Sequence, residues 1–365
     1  CNGIGHIHHI QLRIGAQNLL FGGGWLLSNM MTPSQYISFD AIRATYSPGD
    51  FTIDAFAAKL NDSDRVFKES VNLYGIYGTY NGIPEATMSL YWLYLRDDTD
   101  IPRPERTGWG RWVNNKRGLQ YGSTNLHTLG YKLSGGTGNL DYNLDLAYQW
   151  GDAEHLGSLF KPVGRAFGDT NAKYDNYAVD ATLGYTFKEV SWQPRFFLQG
   201  VVFSGDDNRD ISFWDWVNPF YRPQASVAFN RLFTEKNYMP TVNDNSWLSN
   251  FIQASAGVEV QPTEKLRLHF HVAKDWVYSP FNPPKSMRVF GKKMYVAPRL
   301  SFWTDEGSRD LGWEVVAFAR YNYSPDLWFM LYGNYLWTDD ALTKGSFIHF
   351  YGTEYSGGSN DKNAG

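Results

Sequence analysis

The chain has 365 residues, of which 43% are hydrophobic, 17% aromatic and 19% charged, with a formal net charge of −4. Mean hydropathy is −0.42, and no apolar run reaches the roughly 18 residues of a membrane helix, so helical membrane spans are excluded. The charge gives no reason to expect a nucleic-acid partner, and the one cysteine, Cys1, excludes an intrachain disulfide.

Strand-like sequence begins almost at once, at Ile7–Gln17, with no secretory leader ahead of it. The expectation is a mature or trimmed start, with a lipoprotein acylated at Cys1 as the alternative. The next candidates come in adjacent pairs. Phe39–Tyr46 and Phe51–Leu60 flank Ser47-Pro48-Gly49-Asp50, whose proline and glycine supply turn geometry. Asn72–Tyr80 and Ala86–Arg96 flank Asn81-Gly82-Ile83-Pro84. Asn125–Leu133 and Leu140–Trp150 flank Ser134-Gly135-Gly136-Thr137-Gly138. Tyr177–Phe187 precedes Arg195–Phe203, Phe251–Gln261 precedes Leu266–Trp276, and Trp313–Tyr323 precedes Leu327–Trp337. With Ile7–Gln17 and Phe347–Tyr355 the count is about fourteen strands. Lys293–Trp303 is also strand-like, although Pro298 suits an edge or bulge.

The segment Leu140–Trp150 shows the pattern most clearly. Leu140, Tyr142, Leu144, Leu146, Tyr148 and Trp150 share one parity, and Asp141, Asn143, Asp145, Ala147 and Gln149 share the other. A period of two gives a strand one apolar and one polar face. Strands of about 9–11 residues with aromatic ends match a tilted bilayer crossing, whereas strands of a soluble sandwich run to about 5–6 residues. Short turns also alternate with long connections, at about residues 97–124, 152–176, 205–248 and 277–311. In outer-membrane barrels, short turns face the periplasm and long loops face outside. The expected fold is therefore all-β: one transmembrane antiparallel β-barrel domain over residues 1–365 in the bacterial outer membrane, against the lipid bilayer and lipopolysaccharide.

With the apolar parity toward lipid, the other parity lists the lumen. It contains Arg13, Arg43, Asp54, Lys132, Asp141, Asp145, Asp180, Arg195, Gln199, Gln253, Glu259, Arg267, His269, His271, Glu314, Arg320 and Asn334. Arg or Lys facing lipid at mid-depth costs about 2–4 kcal/mol, so these groups face water or one another. Charged rings inside a pore select what passes; cross-lumen pairing that braces the wall is the structural alternative. Enzyme signatures such as G-x-S-x-G, H-E-x-x-H and the P-loop do not occur in the sequence. No catalysis and no cofactor are expected. His6, His8 and His9, and again His269 and His271, raise the question of a metal, as does the acidic Ser204-Gly205-Asp206-Asp207-Asn208 for calcium. Terminal or lumenal histidines and a solvated turn are the expected readings.

Four stretches resemble the alginate export family of outer-membrane porins. They are Arg13-Ile14-Gly15-Ala16-Gln17 with Leu19-Leu20-Phe21-Gly22-Gly23-Gly24; Phe39-Asp40-Ala41-Ile42-Arg43-Ala44-Thr45-Tyr46 with Ala55-Phe56-Ala57-Ala58-Lys59; Leu129-Gly130-Tyr131 with the strand ending Tyr148-Gln149-Trp150-Gly151; and Pro194-Arg195 running into Ser204–Asn208. Leu311-Gly312-Trp313-Glu314 is a weaker echo. The resemblance implies a monomeric barrel of about eighteen strands with a narrow, basic lumen, partly gated by loops, that passes an anionic polysaccharide. On matched positions it makes Arg13, Arg43 and Arg195 lumenal cations; parity alone adds Arg267 and Arg320.

The chain departs from that pattern in its strand count, in a C-terminus at Gly365 without an aromatic strand, and in the acids. Asn363-Ala364-Gly365 reads as the lead-in to a further strand, and Asp54, Asp141, Asp145, Asp180, Glu259 and Glu314 share the lumen with the arginines. The expected function is passive passage of a hydrophilic, anionic, alginate-like saccharide or small solute, with Arg13, Arg43, Arg195, Arg267, Arg320, Asp141, Asp145, Asp180 and Glu314 lining the path. The alternative is a barrel that sheathes a partner protein, such as a lipoprotein, secretion component or cytochrome, in the periplasm or outer membrane.

Overall fold

The computed structural model describes residues 10–32, 35–60, 71–97, 124–153, 173–205, 227–242, 249–279 and 308–343, together with short strand pieces elsewhere. Thirteen long strands lie in one antiparallel sheet. They are β1 (Ile10–Gln17), β2 (Phe39–Tyr46), β3 (Phe51–Leu60), β4 (Val71–Ile83), β5 (Ala86–Asp97), β6 (Thr124–Thr137), β7 (Leu140–Asp152), β8 (Lys173–Thr186), β9 (Arg195–Phe203), β10 (Phe251–Thr263), β11 (Leu266–Val277), β12 (Asp310–Asn322) and β13 (Trp328–Thr338). Each pairs with its neighbours in sequence, and the pieces Gly5–Ile7 and Asn363–Ala364 extend the two ends of the order.

The alternation read from the sequence sets which face is which. In β7, Asp145 and Gln149 are buried while Tyr148 and Trp150 are exposed. Across the sheet the same inversion recurs: Asp54, Asp145, Asp180 and Glu314 are 5%, 3%, 4% and 0% exposed, whereas Leu90, Leu198 and Phe196 are 60%, 62% and 53% exposed. Buried carboxylates with exposed leucines are the reverse of a water-soluble sheet, and they suit a wall whose outer face meets hydrocarbon. The fold is a transmembrane antiparallel β-barrel.

Turns follow local chemistry. Gly138, between β6 and β7, has φ +60°, which a residue with a Cβ rarely adopts, so the hairpin closes tightly between Thr137 and Leu140. On the inward face, Gly130 of β6 lies under the Tyr91 ring of β5; a Cβ there would sit 2.0 Å from the ring. The aromatic side chain covers the backbone that glycine leaves open.

Two expectations need correction. Lys293–Trp303 does not form one wall strand; it contributes to the short strands Lys292–Tyr295 and Ser301–Thr304, outside the main sheet. These flank Pro298, which has no N–H for a ladder. Phe347–Tyr355 likewise contributes to Gly345–Ile348 and Glu354–Ser356, which join Ser301–Thr304 in a separate small sheet.

Candidate functional site: a charged lumen and two inward segments

Two connections leave the long-loop end of the sheet and fold back along its inward face. The first, residues 18–29, follows β1. Phe21 stacks on Phe56 of β3 and Tyr77 of β4, with ring centroids 5.4 and 4.8 Å apart. Trp25, Leu26 and Leu27 are buried, and with Tyr91, Leu93 and Asp145 they enclose a void of about 10 Å³. The second, residues 227–242, lies between β9 and β10. Gln149 of β7 donates through Nε2 to the Asn230 carbonyl at 2.7 Å and accepts from the Asn230 N–H at 2.7 Å. Asn176 of β8 donates to the Val227 carbonyl, and Gln253 of β10 to that of Tyr238. Thr241 donates its N–H to Glu314 of β12 at 2.8 Å, and Asn334 of β13 donates to the Thr241 hydroxyl. The sheet therefore curls around this segment from β7 to β13.

The two segments bind each other. Phe233 donates its N–H to the Leu26 carbonyl, Ser28 donates to that of Phe233, and Glu235 to that of Gly24, at 2.9–3.1 Å. Trp25 Nε1 donates to the Tyr238 hydroxyl at 3.1 Å, and that hydroxyl donates to Asp180 at 2.6 Å. Burial, followed by the neighbouring Asp180 charge, pushes the Tyr238 phenol well above its ordinary value, so it remains a donor. Arg231 is buried, with its guanidinium over Phe203 and Tyr238 at 4.9 and 5.0 Å.

The sequence placed 227–242 within a long outer loop and 18–24 within a family motif; neither signal showed an inward path. Only the run Gly22-Gly23-Gly24 hinted at unusual backbone. All three have positive φ, and a Cβ on Gly24 would lie 2.4 Å from Glu235.

The sequence-predicted lumenal residues share the inward parity, and the structure gathers most of them into pairs. Arg43 Nε meets Asp54 Oδ1 at 2.8 Å, while the Thr45 hydroxyl also donates to Asp54. Lys132 reaches Asp145 at 2.7 Å and Asn143 at 2.6 Å. Arg195 forks onto Asp141, through Nη2 at 2.5 Å and Nε at 2.9 Å, and lies 3.6 Å from Glu259. Glu259 meets His269 Nδ1 at 3.1 Å, and His269 Nε2 lies 2.8 Å from His271 Nδ1. Asp180 accepts from Gln199 and Tyr238, and Glu314 accepts from Thr241.

Three arginines stand apart from these pairs. Arg267 of β11 is directly opposite Arg320 of β12, and Arg13 of β1 is opposite Arg43 of β2. Arg320 donates to Asn322 and lies over Trp328. Among the described residues, Arg13, Arg267 and Arg320 form no ion pair with an acid. No group of histidine, cysteine and acidic side chains among the described residues is arranged to hold a metal. Asp206, Asp207 and the His8 and His9 positions lie outside them, as do the side chain of His6 and most of the long connections.

A curled antiparallel sheet, an apolar outer face and a charged interior with inward loops describe a channel wall. The family model for alginate export matches residues 3–279. The chain belongs to the alginate export family. It is an outer-membrane channel protein. No curated protein matches it in sequence. Similar solved structures include three proteins of Pseudomonas aeruginosa. OccK11 (OpdR) has a TM-score of 0.48 and 13% identity, over 92% of this chain and 74% of that one. OccK5 (OpdH) has a TM-score of 0.48 and 11% identity, over 94% and 76%. OccK8 (OprE) has a TM-score of 0.48 and 12% identity, over 93% and 76%.

Proposed function

We propose that this channel passes hydrophilic anionic solutes, of the acidic-saccharide class, by passive diffusion, with its long connections outside the cell. The observation that carries this reading is the Arg267–Arg320 pair on the inward face. Like charges directly opposite across two strands destabilise a sheet by roughly 0.2–1 kcal/mol; among the described residues neither arginine forms an ion pair, and Glu259, the acid whose field reaches Arg267, is itself engaged by Arg195 and His269. A carboxylate entering between them would relieve that repulsion and accept fork-like hydrogen bonds. Arg13 faces Arg43 in the same register on β1 and β2, with Arg43 held by Asp54.

The acids that share the lumen do not contradict this. Asp54, Asp141 and Asp145 each face a cation within 2.9 Å, and Asp180 and Glu314 accept from groups of the second inward segment, so each of these acids already has a partner in the protein. Hydrogen bonds from neutral groups hold Asp180, Asp275 and Glu314 without cancelling their charge, so the reading rests on where Arg13, Arg267 and Arg320 stand and not on a net positive lumen. A sheath for a partner protein would suit a wide, uncharged interior; the inward face here is charged and carries two packed segments.

The test is reversal potential in planar bilayers under a salt gradient, followed by addition of an oligo-uronate. Anion-selective current blocked by the sugar, with block weakened in Arg267→Ala and Arg320→Ala, supports the reading. Cation-selective current indifferent to the sugar would overturn it.

A further inference from the structure

On the long strands described, the exposed large apolar side chains face outward, with three exceptions. Trp328, Met330 and Tyr332 of β13 lie on the inward parity, shared with Asn334, and are 47%, 46% and 43% exposed. The outward parity of this stretch is apolar too, with Phe329 and Leu331 exposed. The alternation that marks the other strands is lost here. Lipid accounts for the outward row. Packing does not account for the inward one: the second inward segment bonds to β13 at Asn334, and the three side chains nearer the short turn keep almost half of their surface bare. An exposed apolar patch rimmed by polar groups marks a binding surface.

The neighbours of these side chains are rings and arginines. The register sets Tyr332 opposite Phe318, Met330 opposite Arg320 and Trp328 opposite Asn322 of β12. Phe318 stacks on His269 of β11, with centroids 4.6 Å apart and planes within 8°. The Arg320 guanidinium lies 4.8 Å from the Trp328 ring centroid, and Arg267 stands across from Arg320. Ring faces therefore flank the two arginines on both sides along the strand direction. Trp328 and Tyr332 are four residues apart, about 13 Å along an extended strand, with the arginine level midway between them.

We infer that the inward face of β12 and β13 is a carbohydrate-binding platform, on which Trp328 and Tyr332 take the faces of pyranose rings while Arg267 and Arg320 take carboxylates of the same chain. The C–H groups on a pyranose face carry partial positive charge and meet the negative face of an aromatic ring. Guanidinium forks match carboxylates. An acidic peptide offers the carboxylates without the ring faces, and a neutral sugar offers the faces without the carboxylates. The spacing of Trp328 and Tyr332 exceeds the width of one pyranose ring, so the platform favours a chain over a monosaccharide. The inference rests on the proposed passage of acidic saccharides and deepens it: the arginines select charge, and the rings select sugar.

The test is calorimetric titration of detergent-purified protein, which requires no current. The ligands are an oligo-uronate, an oligo-glutamate of equal charge and a neutral malto-oligosaccharide. Wild type should bind the oligo-uronate about tenfold or more tightly than the oligo-glutamate. Trp328→Leu/Tyr332→Leu keeps apolar bulk without the flat faces and should lose that preference. Trp328→Phe/Tyr332→Phe restores the faces and should keep it within about threefold. Equal affinities in wild type, or an unchanged preference in the leucine variant, overturn the platform; the second result combined with earlier melting would make the rings a packing surface of the protein itself. If the double leucine variant fails to fold, Tyr332→Leu alone decides, with about threefold weakening expected and unchanged affinity counting against the site. The two proposals fail separately. Malto-oligosaccharide binding lost in the leucine variant, with oligo-uronate binding indifferent to Arg267→Ala/Arg320→Ala, would sink the anionic-solute reading and leave the platform standing. Arginine-dependent binding of oligo-uronate and oligo-glutamate with equal affinity would do the reverse, and binding of none of the three would overturn both.

Discussion

The interior has two halves built on opposite principles. Toward the long-loop end the inward face is packed like the core of a soluble protein: Phe21, Trp25, Phe203, Phe229, Tyr238 and Phe251 are all buried, and the polar groups there are engaged by loop backbone or loop side chains. Toward the short-turn end the wall is polar, and charges are satisfied by partners in the wall itself, as in Arg195–Asp141 and Lys132–Asp145. The difference teaches where each loop-borne and wall-borne residue spends its chemistry. The packed half positions two segments; under the proposed function it is the charged half that meets the solute.

The sharpest way to break this contrast is Asp145→Ala. Asp145 sits at the boundary, beside the void under Trp25, and holds Lys132, whose side chain is only 15% exposed. Removing one partner of a buried pair costs about 3–5 kcal/mol, while an exposed pair gives about 0–1 kcal/mol. We expect the former, read as a drop in guanidinium midpoint in detergent, together with a shift of reversal potential toward anion selectivity. A cost below about 1 kcal/mol would mean that water reaches the pair and the halves are not distinct there.

The packed half is tested next by Gly24→Ala. Its φ of +76° strains any residue with a Cβ, and that Cβ would displace the Glu235 side chain. Strained backbone of this kind costs about 1–3 kcal/mol, and the two segments should separate, with larger and noisier single-channel conductance. Conductance identical to wild type would show that the segments do not limit the path.

Tyr238→Phe should act more gently, removing the donor to Asp180 and the acceptor for Trp25 at about 1–3 kcal/mol. It also has a pH signature. Burial favours the neutral phenol, so the wild-type contribution is full below the ordinary value of about 10 and lost as pH rises through the raised folded value. Alkaline titration of segment mobility, by a spin label on residue 236, should show a transition in wild type that the phenylalanine variant lacks.

The wall was legible in the sequence because its signal is local. A period of two, as in Leu140–Trp150, places every side chain on one of two faces, and Ser47–Asp50 announces its own turn. The inward parity of Arg43, Asp141, Arg195 and Glu314 followed from that alone. The pairs were less legible, because Arg195 reaches Asp141 across the intervening β8 strand, 54 residues away in sequence. The inward segments were not legible at all: Trp25 meets Tyr238 over 213 residues, and neither segment has a period. Lys293–Trp303 is strand-like in composition, but its described pieces, Lys292–Tyr295 and Ser301–Thr304, lie in small sheets apart from the wall, and composition carries no signal of which sheet a strand joins.

The smallest expected change in stability belongs to Arg320→Met, and it separates stability from selectivity. Loss of the guanidinium relieves repulsion against Arg267, worth roughly 0.2–1 kcal/mol. It also removes the contact over Trp328, at 4.8 Å, worth about 0.5–1 kcal/mol at an exposed site. The two terms oppose, so the unfolding midpoint should stay within about 0.5 kcal/mol of wild type. Ion selectivity has no such cancellation, because lumenal charge sets it directly. Reversal potential should move toward cations although the fold is unchanged. A variant that melts earlier with unaltered selectivity would instead make the arginine pair a structural feature of the wall and remove the main support for an anionic solute.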